Sequence, residues 1–227
     1  MTKILVLSDI HGRGDIAAAV ADSYPEIDHI LVAGDITNFG DADEARSVAQ
    51  ALIGDRAPRS ILLVAGNCDP LSARRYMSAA RLDIEGRAFE APFGTLVGAG
   101  GGLKRAGLTS FERREGELKE ALEKWLALAS GEGRQRPLIV MTHSPPYGTN
   151  ADRLGGKHVG STEYARMLLE YAPDVWICGH IHESRCVSLE DGTLVVNPGP
   201  CGSGCHAILE IKEGPDGKAL VRAELSK

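Results

Sequence analysis

Apolar residues along this chain come in short dense runs separated by stretches of helical spacing. In the first half these are KILVLSD, RGDIAAAVADSYP, HILVAGD, DADEARSVAQALIG, SILLVAGN and PLSARRYMSAARL. Unbroken β-branched and aliphatic runs suit strands buried on both faces, and the alternation predicts a βαβαβ unit. In the first helix Ile16, Ala19 and Val20 recur at helical spacing; in the second, Ala45, Val48, Ala49 and Leu52 do. Asp41 or Asp43 can cap the second helix, and Pro70 suits the first turn of the third. From Ala88 the stretch FEAPFGTLVGAGGG reads as strands with tight turns, followed by a helix from about Arg114 to Ala129.

The second half continues with the strand PLIVMTHS, the helix STEYARMLLEYA and the strand DVWICGH, then becomes nearly all strand. Its turns are expected at Glu190-Asp191-Gly192 and at Pro215-Asp216-Gly217. The expected architecture is α/β: two mixed β-sheets packed together and flanked by helices, a four-layer sandwich forming a single domain over residues 1–227. Between the PLIVMTHS strand and the STEYARMLLEYA helix, Ser144 to Gly160 shows no element of its own; a loop of that length in a compact domain is usually functional or disordered, and its position right after His143 favours function.

Composition narrows the function classes. The chain has 227 residues, 43% hydrophobic and 25% charged, as an ordinary globular protein does. Net charge is −6 and no Lys/Arg cluster is present, so a sequence-independent grip on nucleic acid is not expected. The apolar run ILVL stops at Ser8 and Asp9, too early for a signal peptide, and no run is long enough for a membrane span, which predicts a cytoplasmic protein. The five cysteines, Cys68, Cys178, Cys186, Cys201 and Cys205, are odd in number and sit mostly in apolar runs, as reduced thiols would. A homo-oligomer is left open.

Candidate chemistry lies at the strand ends. LVLSDIH ends in Asp9 and His11, ILVAGD in Asp35, ILLVAGN in Asn67, LIVMTH in His143 and DVWICGHIH in His180 and His182. Open α/β sheets place their ligands outside the carboxyl ends of the strands, so these seven residues are expected to meet. Asp9 and His11, like His180 and His182, are two apart, and in extended backbone both members of each pair face the same way. Gly34, Gly66 and Gly179 precede three of the candidates and allow close backbone approach. A set of carboxylate, imidazole and amide donors suits Mn, Fe, Zn, Co or Ni. Seven are too many for one such ion that also keeps water, and suit two ions sharing a carboxylate. His29 and His206 take no part and are expected at the surface or a strand edge.

The blocks SDIH, AGD, GNCD, TH and GHIH, in this order from Asp9 to His182, resemble those of the calcineurin-like metallophosphoesterase family. The resemblance implies a first metal held by Asp9, His11 and His182, a second held by Asn67, His143 and His180, with Asp35 bridging, and manganese foremost among the candidate ions. It implies a phosphoesterase using hydroxide held between the two ions, about 3.5–4 Å apart, for in-line attack on phosphorus. Asn67 would also face substrate.

Where related protein phosphatases carry a histidine with an acidic partner, this chain has Cys68 and Asp69. A thiol donates a hydrogen bond weakly and carries no positive charge. GNCD resembles a bacterial and archaeal branch of small cytoplasmic phosphodiesterases, which implies a small phosphodiester substrate. Cys68 could equally fill a small apolar gap. His158 is a candidate to reach the substrate phosphate or to supply the acid, beside a helix start capped by Ser161 that could hold an anion; the alternative is a solvated loop. Arg13 is a candidate contact for substrate oxygens, or a solvated helix start. The competing functions are a protein serine/threonine phosphatase, and a non-catalytic scaffold on the same fold, which complete ligand blocks disfavour.

Overall fold

The structure, a computed structural model, describes residues 1–27, 29–54, 60–105, 107–131, 137–214 and 219–226. In chain order its elements are β1 (Thr2–Leu7), α1 (Gly14–Asp22), β2 (His29–Ala33), α2 (Ala42–Ile53), β3 (Ser60–Val64), α3 (Leu71–Ala79), β4 (Ala88–Ala91), β5 (Gly94–Ala99), β6 (Gly102–Leu103), β7 (Glu112–Arg113) and α4 (Glu115–Ala129). They continue with β8 (Leu138–Thr142), β9 (Arg153–Leu154), β10 (Lys157–His158), α5 (Thr162–Tyr171), β11 (Val175–Ile177), β12 (Cys186–Glu190), β13 (Thr193–Asn197), β14 (His206–Glu213) and β15 (Ala219–Ser226). One large sheet runs β15-β14-β1-β2-β3 and a second β12-β13-β11-β8-β5-β4, with β9-β10 and β6-β7 as separate two-stranded pairs. Strands β1, β2 and β3 are mutually parallel, as are β5, β8, β11 and β13, while β14, β15, β4 and β12 join antiparallel.

The period-2 alternation of each strand assigns its side chains to layers. Leu5, Leu7, Ile30, Val32, Ile61 and Leu63 face α1, α2 and α3. Ile4, Val6, Leu31, Ala33, Leu62 and Val64 face the second sheet through Leu96, Ile139, Met141 and Ile177. The far side of that sheet, Val97, Val140, Trp176 and Val195, packs on Leu118, Leu122 and Leu126 of α4 and on Tyr164 and Met167 of α5. Helix, sheet, sheet, helix is the four-layer order expected. Each such buried aliphatic side chain contributes about 1.5–3 kcal/mol relative to exposure, so three apolar layers rather than any single bond hold the sheets together.

Helix ends follow local chemistry with two differences. Asp41 caps α2, its carboxylate accepting from Asp43 N–H at 2.9 Å and Glu44 N–H at 3.3 Å, and Ser161 caps α5 by accepting from Tyr164 N–H. Pro70 stands one place earlier than expected, as the extended residue before α3 rather than in its first turn. In α1 the buried residues are Gly14, Ala17, Val20 and Ala21, and Ala19 is exposed. An alanine-rich helix has almost no apolar contrast between faces, so docking against α2 chose the face. The turn at Asp191 and Gly192 has positive φ at both residues, the form that joins two-residue hairpins. The turn expected at Pro215-Asp216-Gly217 lies outside the described residues.

His206 departs from expectation: it is 5% exposed, with Nε2 2.9 Å from the Tyr24 hydroxyl and Nδ1 3.0 Å from the Gly204 carbonyl. Both ring nitrogens are satisfied, which is what permits its burial. His29 opens β2 half-buried, its ring centroid 4.8 Å from that of Phe93. Ser144 to Gly160 is not structureless, since a 3-10 turn at Asn150–Asp152 and the two-residue hairpin β9-β10 fold within it.

Candidate metal centre

Strands β1, β2, β3, β8 and β11 end on one rim, and the residues just past them turn inward through strained backbone. Among the described residues eight non-glycines have positive φ, and four of them are Asp9 (53°), His11 (48°), Asp35 (52°) and His180 (69°). Such conformations cost about 1–3 kcal/mol each and persist where surrounding structure imposes them. The paired residues therefore converge by left-handed kinks, not by the extended alternation expected from their spacing, and His182 opens a 3-10 turn, His182–Ser184.

Close backbone packing makes the kinks fit together. A Cβ on Gly66 would lie 2.0 Å from Asp35 Oδ1, and one on Gly179 would lie 1.7 Å from Ser8 Oγ. Gly34 combines φ of +93° with a Cβ position 2.5 Å from His143 Nδ1. The amides around the kinks are shared between strand ends: Asp9 N–H donates to Gly34 O, His11 N–H to Asp35 O, and Gly179 N–H to His143 O.

The side chains gather around Asp35. Its Oδ1 accepts from Cys68 N–H at 2.7 Å, while Oδ2 stands 3.4 Å from His143 Nε2 and 3.8 Å from His11 Nε2. Asp9 Oδ2 lies 2.6 Å from Ser8 Oγ and accepts from His180 N–H at 3.1 Å. Asp9 Oδ1 is 3.2 Å from His182 Nε2 and 3.9 Å from His11 Nε2. His143 Nε2 is 2.9 Å from Asn67 Oδ1, and the His180 ring lies 5.0 Å from that of His143. Among the described residues, three sets of potential ligand atoms fall within 4.8 Å of one another: Asp9, His11 and His182; Asp9, Asp35 and His143; and His11, Asp35 and Cys68.

The donor set fits cations. His143 Nδ1 lies 2.8 Å from the Ala33 carbonyl, which can only accept, so that nitrogen carries the proton and a neutral ring turns the Nε2 lone pair toward Asn67 Oδ1 and Asp35 Oδ2, both acceptors. Asp9 Oδ1 is buried without a hydrogen-bond partner. Acceptors aimed at one another need positive charge between them. Protons respond to the same field: burial opposes charging of His143, yet Asp35 and Asp9 raise its pKa to about 9. Burial also opposes ionisation of Asp35 and Asp9, but the neighbouring imidazoles outweigh it and hold both carboxyls below their usual range. His180 is pushed the other way, to about 4, by burial and by His143. His182 is raised by the Asp9 carboxylate beside its Nε2.

The remaining candidates separate. Cys68 is buried with its sulfur at the edge of the cluster, and burial with the Asp35, Asp69 and Asp9 carboxylates drives its thiol far up, keeping it neutral. Asp69 turns away from the centre. Its Oδ1 accepts from Thr37 N–H and Oγ1–H, and its Oδ2 from Gly66 and Ile36 N–H, which ties two site loops together. Arg13 lies along the exposed surface in a bidentate pair with Asp15, 3.1 Å at each contact. The start of α5, expected as an anion site, already holds the Glu115 carboxylate, which accepts from Ser161 Oγ–H and Thr162 N–H. His158 sits on β10 against Asp152.

Sequence reading missed the braces behind the candidate ligands. Trp176 Nε1–H donates to Thr142 Oγ1 at 2.9 Å, fixing the strand end before His143. Asn197 Nδ2–H donates to Ile181 O at 3.0 Å, between His180 and His182. Asn197 carries the same signal as the ligands, a polar residue closing an apolar run in LVVNPG, but serves as a support.

Comparison with known proteins gives the family and the fold. The family model described as calcineurin-like phosphoesterase matches residues 2–184. An uncharacterized protein of Methanocaldococcus jannaschii is 30% identical over 203 residues, covering 87% of this chain and 88% of its own. A probable cyclic nucleotide phosphodiesterase of Rhodopseudomonas palustris is 28% identical over 204 residues, covering 79% of this chain and 71% of its own. A dimetal phosphatase from Danio rerio shares the fold, with a TM-score of 0.61 at 12% identity over 97% of this chain and 98% of that one.

Proposed function

Because the chain belongs to the calcineurin-like phosphoesterase family, a group of hydrolases dependent on divalent metal ions, we propose that it is a phosphodiesterase acting on a small phosphoester at a dinuclear centre. In this reading Asp9, His11 and His182 hold one ion, Asn67, His143 and His180 hold the other, and Asp35 lies between. The observation that carries it is the convergence of acceptors on Asp35, with His143 held in the ligand tautomer by the Ala33 carbonyl. Manganese is the expected ion. Bound divalent ions supply charge that stabilises the phosphoryl group and lower the pKa of water toward about 7.

The chain's own residues position and exclude. Ser8 and His180 N–H fix one oxygen of Asp9 and leave the other for a ligand. Cys68 N–H does the same for Asp35. A neutral Cys68 thiol beside the centre offers little help to a departing alkoxide, which favours diesters with good leaving groups over alkyl phosphomonoesters unless another residue supplies the proton. The name of the Rhodopseudomonas palustris relative points to the same class. Asp69 acts here as a brace and Arg13 takes no part. Residues 1–227 work as one unit, and the free cysteines support a reducing, cytoplasmic setting.

The test is metal analysis of the purified protein together with rates on p-nitrophenyl phosphate, bis(p-nitrophenyl) phosphate, cyclic nucleotides and dinucleotides with added Mn. Two ions per chain and a preference for diesters are expected. Retention of no ion at saturating Mn, or a large monoester preference, overturns the reading.

A further inference from the structure

Ser144 to Gly160 folds into a compact unit around one buried acid. Asp152 is 0% exposed, and its Oδ2 accepts from Gly148 N–H and Gly160 N–H, each at 3.0 Å. Its Oδ1 lies 2.5 Å from His158 Nδ1. The His158 side chain remains 26% exposed, so Nε2 is the nitrogen left to reach outward, beside the half-exposed Tyr147 ring at 5.5 Å. Near His158 the cations are the flanking Lys157, Arg153 opposite it across the hairpin, and Arg105, which donates to Val159 O at 2.7 Å; the acids bonded to the same segment are Asp152, Glu190 on Asn150 N–H and Glu115 at the α5 start.

The unit is tied to the metal rim on two sides. It begins at the residue after His143, where Ser144 Oγ accepts from Leu103 N–H. It also packs on the turn that carries His182, through Ser184 Oγ–H donating to Arg153 O at 2.5 Å. His158 pairs with Arg153, so the ring stands one strand from that anchor.

Building on the phosphodiesterase reading, we propose that His158, oriented through Nδ1 by Asp152, donates the Nε2 proton to the leaving oxygen, a role that the Cys68 thiol cannot fill. As an oxygen from water, its proton lost to solvent, bonds to phosphorus and the bond to the leaving oxygen breaks, the electron pair goes to the leaving oxygen, which takes the His158 proton and departs as an alcohol. Neutral His158 regains a proton from solvent. Asp152 is a positioning residue, and Arg105, Arg153 and Lys157 offer cationic groups to an anionic substrate.

The test compares two methyl phosphodiesters, one releasing p-nitrophenolate and one an alkoxide, because only the alkoxide needs a donor. His158→Gln should slow the alkoxide ester on the order of 10²-fold and leave the p-nitrophenyl ester little changed, with metal content unaltered. Asp152→Asn should show the same selectivity, together with loss of the fixed Nδ1–H tautomer in the imidazole 15N spectrum of the Zn-loaded protein. Inorganic phosphate should shift the His158 Nε2 signal in the wild type. An equal fall on both esters, or no fall on either, overturns the proposal alone. Absence of turnover of both esters by the wild type overturns the phosphodiesterase reading and the proposal together.

Discussion

Two buried carboxylates, Asp69 and Asp35, sit within a few residues of the same loops and live by opposite rules. Asp69 is enclosed by four donors and has no unsatisfied oxygen. Asp35 has one oxygen pinned by Cys68 N–H and the other left facing two imidazole nitrogens at 3.4 and 3.8 Å. Burial raises the pKa of Asp69, whereas the imidazoles beside Asp35 outweigh burial and lower its pKa. Counting donors therefore separates a brace from a ligand more surely than residue type or burial: a buried acid whose acceptors are all met holds the fold, and one aimed at other acceptors awaits a cation.

The sharpest test of this contrast is Asp35→Asn. Loss of the proposed shared carboxylate should reduce turnover at least on the order of 10³-fold, the equivalent of several kcal/mol of charge stabilisation. The rise in Tm on adding Mn should shrink with it. A variant that keeps both metal-dependent stabilisation and rate would break the comparison.

Asp69→Ala should behave oppositely. Four donors lose their acceptor, and stability should fall by roughly 3–5 kcal/mol by chemical denaturation, as much in EDTA as with metal. Folded Asp69→Ala protein should still bind Mn. A loss of stability confined to the metal-loaded form would place Asp69 among the ligands.

The unpaired acceptors also predict a pH dependence of the metal-free protein. His143 has a folded pKa raised to about 9, so its contribution is complete below its unfolded pKa of about 6.5 and lost as pH rises through 9. In EDTA, stability should fall by about 2–3 kcal/mol across that window. His180, depressed to about 4, contributes above about 6.5 and loses that contribution as pH falls toward 4, outside the window. With Mn present the fall should vanish, because metal competes with the Nε2 proton and binds more tightly as pH rises. A flat profile in EDTA would contradict the His143 assignment.

The smallest effect is expected at Cys68→Ser, which keeps the size and the backbone N–H to Asp35. Rates on diesters with good leaving groups should change only a few-fold, since the neutral thiol contributes little as an acid. A large loss of bound metal would instead make Cys68 a ligand, consistent with its sulfur lying within 4.8 Å of His11 and Asp35.

Much of this molecule was legible along the chain, because unbroken apolar runs such as SILLV and LIVMT can be buried only as central strands. Their polar ends then fall on one rim, which brought out Asp9, Asp35, Asn67, His143 and His180 together. Helix α2 had its buried face written in its contrast between alanine, valine and charge, while α1, nearly uniform, did not. What each polar residue does was written less clearly: Asn197 and Asp69 carry the same signal as the candidate ligands and act as braces.

Layer order, strand content and the set of residues able to meet were thus determined by the sequence, since periodicity and apolar content are local properties that any compact solution must respect. Tertiary structure alone decided how they meet: the left-handed kinks at Asp9, His11, Asp35 and His180, the closing of the α5 start by Glu115, and the pairing of His158 with Asp152. The reason is physical. Those outcomes depend on which hydrogen-bond partners arrive from distant segments, and a donor count around a side chain exists only once the chain has folded.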